Sequence, residues 1–518
     1  FVHSYPCDWR DKTPVIYRLT EQWFINLSPL KEEIKNNIEK VKWLPNYSKT
    51  KIISFIENRD EWCISRQRYW GLPIPAIIIN GKHELIPEIV EYAASIVKSK
   101  GSDFWFNDKT AKSIINEKFH KLLANKSFEI GEETLDVWFD SGVSSFSALK
   151  NEHWPANLYL EGNDQFRGWF NSSLIISTIM NKIAPYKEVV SHGFTVDKSG
   201  KKMSKSLGNT VEINQLIETF GLDVMRLWVS SFDFTKEIKV SNEIISKNKE
   251  VYDKVRNTIR FIIGNLNSSP NILNEEFTQF NEFSELSKYI LSKTWQLAIQ
   301  SKNEFLNYKF SNIYNSLNNF CVNNLSSFYF DIIKDNLYCD NLNSRSRKEI
   351  ISVLYSILQI LLKIISPLTP VLSEEAYKEV KFRRFDDFFD NESVHLTQFP
   401  NSLPCIKWPE EECLKFEKYL IPLRRAIFQE FEKTKENKDI NSISQIKITI
   451  TLNNYEQFQY LKSISDELPS IFLVSEIILK NNKESLLEIE KTNKNKCLRC
   501  WRFKVIKGNN CNRCSKEI

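Results

Sequence analysis

Four cysteines near the end of this 518-residue chain constrain its fold more than any other feature. They form two Cys-x2-Cys pairs with ten residues between the pairs, Cys497 with Cys500 and Cys511 with Cys514. Two such pairs facing each other place four thiolates at the corners of a tetrahedron, a geometry that Zn²⁺ accepts. Disulfide pairing is disfavoured because the other six of the ten cysteines are scattered, as in proteins of a reducing compartment. We therefore expect one structural zinc ion without a catalytic role.

The segment that carries these cysteines is strongly basic. Residues 491–518 contain nine Lys or Arg residues against one acid, Glu517, whereas the net charge of the whole chain is only +5. This imbalance indicates a polyanionic partner such as RNA or DNA, although a merely solvated tail has the same composition. Trp501 and Phe503 lie among the basic residues. They could stack on nucleotides or form the small core of the ribbon, and the sequence leaves both open.

The hydrophobic pattern divides the rest of the chain. Residues 1–235 mix β-branched and aromatic runs with helical segments, which predicts an α/β core. From 240 to 440, apolar residues recur at i, i+3 and i+4, as in helices of a bundle. Within 441–490, residues 445–452 alternate Ile and Thr like a half-buried strand. We predict a multidomain protein with an α/β core, an all-α bundle, a small α+β unit and a zinc ribbon over 491–518.

Composition and segment lengths exclude several other classes of protein. Hydrophobic residues make up 42% of the chain, too many for a mostly disordered protein. The longest apolar stretch, 351–365, is interrupted by Gln359 and Lys363, so it predicts a buried helix and no membrane span. No basic-then-apolar leader is present. We expect a cytoplasmic protein, and the start at Phe1, inside residues that look structured, predicts that it is part of a longer polypeptide.

A lysine-rich segment carries the clearest sign of chemistry. Lys201, Lys202 and Lys205 place three ammonium groups on a hydroxyl-rich loop that Gly200 and Gly208 bracket. The sequence contains neither a GxxxxGK[ST] phosphate loop nor a GxGxxG motif. We interpret the segment as a mobile loop that closes over a triphosphate and stabilises charge in the transition state. A solvated basic turn is the alternative.

Four segments together resemble a known family. Residues 62–75 read WCISRQRYWGLPIP, 136–142 read DVWFDSG, 159–173 read YLEGNDQFRGWFNSS and 202–206 read KMSKS. These segments are similar to motifs of the class I aminoacyl-tRNA synthetases, and among them of the isoleucyl-tRNA synthetases. A C-terminal four-cysteine zinc unit is typical of the bacterial members.

The resemblance implies an identity for each part of the chain. Residues 1–20 resemble the exit of an inserted editing domain. Residues 21–235 correspond to the second half of a Rossmann-like catalytic core, and 236–440 to a helical anticodon-binding domain. The small α+β unit, 441–490, and the ribbon, 491–518, complete the chain.

The resemblance also implies roles for individual residues. Lys202 and Lys205 would bind the phosphates of ATP as catalytic residues. Glu161 would hold the α-ammonium group of the amino acid, because a carboxylate pairs with a cation. Asp164 and Gln165 would contact the ribose and the aminoacyl part of an adenylate.

Three further residues of the site follow from the same motifs. Trp138 and Trp169 would form walls of the pocket for an aliphatic side chain, with core packing as the alternative. His192 would lie beside the adenosine, with an ordinary buried histidine as the alternative. Phe166 stands where many members of the family have a histidine, and Cys7-Asp8 also departs from the family pattern.

The implied activity is the ATP- and Mg²⁺-dependent ligation of L-isoleucine to tRNA(Ile) through isoleucyl-adenylate, by a monomer. The HxGH motif of the family is absent from the sequence, as is the threonine-rich editing site. We therefore expect this segment alone not to form adenylate, and a longer parent protein to do so. A non-catalytic RNA-binding remnant and a valyl-type synthetase are the alternatives.

Overall fold

The computed structural model describes residues 4–8, 11–124, 126–201, 203, 211–269, 283–380, 391–400, 410–435 and 440–515. Lys202 and Lys205 lie outside the described residues. The chain divides into two compact units, the first comprising Phe1–Phe194 and Thr235–Glu237 and the second Thr195–Phe234 and Ile238–Ile518. The segment next to the lysine-rich loop therefore clusters with the helical residues.

The first unit is α/β. Its strands are β1 (Phe24–Asn26), β2 (Lys42–Leu44), β3 (Glu61–Cys63), β4 (Ser65–Arg66), β5 (Ile77–Ile79), β6 (Lys82–Glu84), β7 (Phe128–Ile130), β8 (Thr134–Leu135), β9 (Ala156–Gly162) and β10 (Tyr186–His192). Its helices are α1 (Lys31–Glu39), α2 (Tyr47–Glu57), α3 (Pro87–Lys100), α4 (Asp103–Phe106), α5 (Asp108–Phe119), α6 (Val137–Ala148) and α7 (Trp169–Asn181).

A parallel sheet of order β2-β10-β9 forms the centre of the first unit. In its register Ser191 lies opposite Glu161, and His192 lies opposite Gly162. Apolar residues of the sheet and of α1, α2 and α7 share one core, in which Phe166 and Phe170 are fully buried. Because β9 and β10 are parallel, their carboxyl ends meet at the same edge of the sheet.

Residues 77–130 build a layer of their own within this unit. The strands pair antiparallel in the order β6-β5-β7, and α3, α4 and α5 cover them around the buried Trp105. The hydrophobic pattern did not separate this layer from the rest of the core, since its elements are as short and mixed as those around it.

The second unit is mainly helical. Its helices are α8 (Ile213–Phe220), α9 (Leu222–Ser230), α10 (Asn242–Asn267), α11 (Glu285–Leu306), α12 (Phe310–Asn319), α13 (Phe330–Cys339), α14 (Arg345–Ile365), α15 (Pro370–Glu379), α16 (Glu410–Lys415), α17 (Ile421–Thr434), α18 (Tyr455–Ser463), α19 (Leu468–Ile471) and α20 (Asn512–Ser515). Its strands are β11 (Thr195–Val196), β12 (Ile238–Lys239), β13 (Ile446–Leu452), β14 (Glu476–Asn481), β15 (Leu486–Lys491), β16 (Asn495–Lys496), β17 (Phe503–Lys504), β18 (Ile506–Lys507) and β19 (Asn510–Cys511).

The predicted helical bundle is confirmed. Helix α14, predicted as a buried helix from its apolar stretch, packs with α10 and α11 in one continuous core. Helices α10, α11 and α14 each begin after a serine whose hydroxyl accepts a backbone N–H of the first turn, which satisfies a donor that the helix leaves unpaired. Among the described residues, the helices are all too short or too polar to cross a membrane.

The small α+β unit has the strand that the alternation predicts. In β13 the side chains of Ile446, Ile448, Ile450 and Leu452 are buried, and those between them are partly exposed. The strand lies in the middle of its sheet, parallel to β14 and antiparallel to β15. A short helix, α18, follows this strand.

Candidate functional site

The carboxyl edge of the parallel sheet brings Glu161 and His192 together. Nε2 of His192 lies 3.9 Å from Oε1 of Glu161, and these side chains are 40% and 50% exposed, respectively. Nδ1 of His192 lies 2.8 Å from the carbonyl oxygen of Gly193, which only accepts hydrogen bonds, so Nδ1 carries a hydrogen. Glu161 accepts a hydrogen bond from the backbone N–H of Gly162 at 2.9 Å. Its carboxylate is thus held at the edge and remains open to a cation.

Asp164 and Gln165 lie on a 3-10 turn, Asn163–Arg167, that joins β9 to α7. Nε2 of Gln165 donates to Oδ2 of Asp164 at 3.0 Å. Oε1 of Gln165 accepts from the backbone N–H of Trp169 at 3.0 Å, so Gln165 also satisfies a donor at the start of α7. The two side chains therefore form one fixed pair immediately after Glu161.

The two tryptophans have different surroundings. Trp169 stacks on Tyr159, with ring centroids 3.9 Å apart and an interplanar angle of 14°, and its Nε1 donates to Ser144 at 2.9 Å. The Trp138 side chain, 38% exposed, lies so close to Gly168 that a Cβ there would be 2.6 Å from the ring. Trp138 thus presents apolar surface to solvent, whereas Trp169 is tied into the core.

We call this group the sheet-edge site; it consists of Glu161, Asp164, Gln165, His192 and Trp138. The assignment of ligand contacts to these residues and to Trp169 stays a prediction. What the structure adds is their placement on β9, on β10, on the turn between β9 and α7, and on α6.

Sequence reasoning missed the support behind Trp138. Asp136 is buried, and its Oδ2 accepts from Nε1 of Trp62 at 3.1 Å and from Arg66 at 2.9 Å. Its Oδ1 accepts from the backbone N–H of Trp138 at 3.3 Å, which caps α6. Burial, and secondarily the charge of Asp136, raises the pKa of the neighbouring Asp140. An aspartate directly before a helical pattern was the available signal for the cap, but nothing local indicated Trp62 or Arg66.

The backbone just before the lysine-rich loop forms a tight turn. The Asp197 carboxylate accepts from the backbone N–H groups of Ser199 at 2.8 Å and of Lys201 at 2.9 Å. Gly200 has φ +79°, a conformation that favours glycine. The glycine that brackets this end of the loop therefore occupies a position that favours glycine over other residues.

The four predicted metal ligands converge. The sulfur atoms of Cys497, Cys500, Cys511 and Cys514 all lie within 4.8 Å of one another. The backbone N–H of Cys511 donates to Cys497 Sγ at 3.3 Å. Burial acts to raise the pKa of Cys497, but backbone N–H groups of Cys500, Cys511 and Arg499 outweigh it and lower the pKa to about 6. Four cysteine sulfur atoms with backbone N–H donors around them fit a tetrahedral metal ion that is bound by thiolates.

Part of the positive charge of the ribbon is neutralised by ion pairs with acidic residues of the second unit. Arg513 pairs with Asp335 at 2.7 Å and with Asp340 at 3.3 Å, and Arg502 lies 3.7 Å from Asp335. Trp501, in contrast, is 68% exposed, and Nζ of Lys496 lies 5.3 Å from its ring centroid. Of the two roles left open for this ring, a core position does not fit its exposure, and stacking on nucleotides stays a prediction.

Comparison with known proteins gives matches to both units. Residues 7–241 match the family model of tRNA synthetases class I (I, L, M and V), and residues 287–450 match the anticodon-binding domain of tRNA ligase. The isoleucine–tRNA ligase of Fervidobacterium nodosum is 36% identical over 535 residues, which cover 100% of this chain and 57% of that protein. That of Methylacidiphilum infernorum is 37% identical over 530 residues, covering 100% of this chain and 56% of that protein.

The chain thus spans somewhat more than half the length of these curated relatives. Among solved structures, methionyl-tRNA synthetase of Mycobacterium tuberculosis bound by methionyl-adenylate is similar in fold, with a TM-score of 0.51 and 18% identity over 76% of this chain and 70% of that one.

Proposed function

This chain belongs to the class I tRNA synthetases, and from that premise we propose that the enzyme containing it ligates L-isoleucine to tRNA(Ile) with ATP. The isoleucine–tRNA ligases that match the full length of the chain support the choice of amino acid. The observation that carries the proposal is the sheet-edge site. It lies at the carboxyl edge of a parallel sheet, where open α/β folds bind their ligands.

Each group of this site suits one part of an aminoacyl-adenylate. The half-exposed Glu161 carboxylate pairs with the α-ammonium group of isoleucine. The hydrogen-bonded Asp164–Gln165 pair offers a carboxylate and an amide to the ribose hydroxyls and the aminoacyl carbonyl. The exposed ring of Trp138 gives the aliphatic side chain an apolar surface. His192, beside Glu161, contacts the adenosine.

The reaction needs no nucleophilic side chain. The isoleucine carboxylate attacks the α-phosphorus of Mg²⁺-ATP and pyrophosphate leaves. A ribose hydroxyl at the 3′ end of the tRNA then takes the aminoacyl group and AMP leaves. Catalysis comes from positioning and from stabilisation of charge, for which Lys202 and Lys205 of the lysine-rich loop bind the phosphates.

The metal of the ribbon is Zn²⁺ with a structural role, because four sulfur ligands leave no position for substrate or water. The tRNA contacts the helical domain and the ribbon, where Trp501 and Lys496 present a ring and a charge together. The enzyme acts as a monomer in the cytoplasm.

Isoleucine-dependent exchange of pyrophosphate into ATP tests the proposal. The complete enzyme is expected to catalyse exchange with isoleucine at least tenfold more efficiently than with valine, since one methylene is worth about 1–3 kcal/mol. Preferential exchange with valine would transfer the assignment to a valyl-type enzyme. Tight tRNA binding with no exchange for any amino acid would favour a non-catalytic RNA-binding protein.

A further inference from the structure

The turn that carries Asp164 and Gln165 is not stable by itself. Asn163–Arg167 is one short stretch of 3-10 helix, and no side chain caps its N-terminus. Such short helices hold their shape through contacts made elsewhere. Besides the hydrogen bonds of Gln165 to Asp164 and Trp169, the position of these two site residues therefore depends on what packs against the turn.

Helix α2 makes those contacts through two side chains one helical turn apart. Nζ of Lys51 donates to the carbonyl oxygen of Asn163 at 3.1 Å and lies 4.7 Å from the ring centroid of Phe166. In the second contact the turn supplies the cation and the helix supplies the ring: the guanidinium of Arg167 lies 5.0 Å from the ring centroid of Phe55. Cation–π attraction thus acts twice between the helix and the turn, once from each side.

Phe166 is well suited to this contact. It is fully buried and packs against Trp43 and Phe170, with ring centroids 6.4 Å and 5.3 Å away. A neutral aromatic face attracts the Lys51 ammonium, whereas a protonated histidine would repel it. Phe166 thus offers Lys51 a neutral, fixed aromatic face.

We propose that Lys51 is a positioning residue for the ligation reaction, fixing the turn Asn163–Arg167 so that Asp164 and Gln165 meet the adenylate. The inference rests on the proposed function, because it assumes that these two residues contact the reacting molecule. Lys51 itself acts through the backbone of Asn163 and does not touch substrate. The guanidinium of Arg167 and the carboxylate of Asp164 are the charges nearest to it on the turn.

The test compares three variants of the complete enzyme by isoleucine-dependent pyrophosphate exchange. Lys51→Met removes the donor and the charge, and kcat is expected to fall about 10- to 100-fold, since misplacing a catalytic group by about 1 Å has an effect of that order. KM for isoleucine stays within about threefold, because Glu161 is not on the turn. Lys51→Arg retains a donor and a cation and recovers most of the loss. Lys49→Met is the matched control on the same helix, where Lys49 pairs with Glu39, and leaves kcat unchanged.

Amide hydrogen exchange on the complete enzyme provides a readout that does not depend on catalysis. Lys51→Met is expected to accelerate exchange at residues 163–169 at least tenfold, with the amides of β9 and β10 unaffected. Unchanged kcat in an otherwise active enzyme would overturn the positioning role, as would a loss of activity that Lys51→Arg fails to restore. An inactive wild-type enzyme with locally accelerated exchange in Lys51→Met would refute the proposed function and leave only the structural contact.

Discussion

The four-cysteine ribbon takes all its ligands from residues 497–514, whereas the sheet-edge site collects side chains from β9, β10, α6 and the turn before α7. In the ribbon, short hairpins bring two local Cys-x2-Cys pairs together. In the sheet-edge site, Glu161 and His192 are neighbours because two parallel strands pair, and a crossover helix lies between them in the sequence.

This difference has consequences for stability. A ribbon of about twenty residues has almost no apolar core, so we expect its order to depend on the proposed metal ion and on its ion pairs to Asp335 and Asp340. The sheet-edge site rests on a large apolar core. We therefore expect loss of a metal ligand to unfold the ribbon. A substitution near the sheet-edge site should instead shift its side chains while the first unit stays folded.

Removing a metal ligand is expected to have the largest effect. Cys511→Ser should lose the bound metal and disorder residues 495–515, since binding of a structural Zn²⁺ contributes about 10 kcal/mol that is also the folding energy of its site. Metal content and limited proteolysis measure the change, with Cys63→Ser in the first unit as control. A ribbon that stays protease-resistant without metal would show that its ion pairs to the helical domain are sufficient.

Removing the charge of Glu161 comes next. Glu161→Gln in the complete enzyme should lower kcat/KM for isoleucine about 10²- to 10³-fold, since losing one partner of a charge pair that the bound substrate shields from water costs about 3–4 kcal/mol. Glu188→Gln on β10 is the control, because Glu188 lies outside the sheet-edge site and pairs with Lys42 of the neighbouring strand. Similar activities for both variants would remove Glu161 from the site.

A change in the packing of α6 against α7 should have the smallest effect of the three. A Cβ at Gly142 would lie 2.4 Å from Cδ1 of Ile176 and 3.0 Å from the carbonyl oxygen of Ser172, so Gly142→Ala should push α6 from α7 and destabilise the first unit by about 1–3 kcal/mol. Trp138 lies on α6, so activity should fall with stability.

Gly264→Ala is the matched control, because a Cβ there meets nothing within 4 Å and the residue lies inside α10. It should stabilise the second unit by about 0.5–1 kcal/mol. Urea unfolding of both variants measures these two changes in the free energy of unfolding. A negligible change for Gly142→Ala would mean that α6 and α7 accommodate the added Cβ without moving apart.

The fold was largely predictable where the signal is local and periodic. The alternation in residues 445–452 predicted β13 and its buried face, and the i, i+3, i+4 spacing predicted the bundle helices. The cysteine pairs predicted a convergent cluster because two residues between ligands fix their separation. Residues 77–130 were not predicted as a separate layer, because each of the strands β5, β6 and β7 has only 3 residues and so shows no alternation of apolar and polar residues long enough to identify.

Local spacing and residue type are enough to predict four thiols in ligand positions, amphipathic helices around a core and the alternating strand β13. The partners of each side chain follow from the folded chain alone. Asp136 accepts a hydrogen bond from Trp62, 74 positions away in the sequence, and Lys51 donates one to Asn163, 112 positions away. Hydrogen bonds and cation–π contacts depend on distances of a few ångströms in space. Chain folding sets those distances between remote segments, and no spacing in the sequence encodes them.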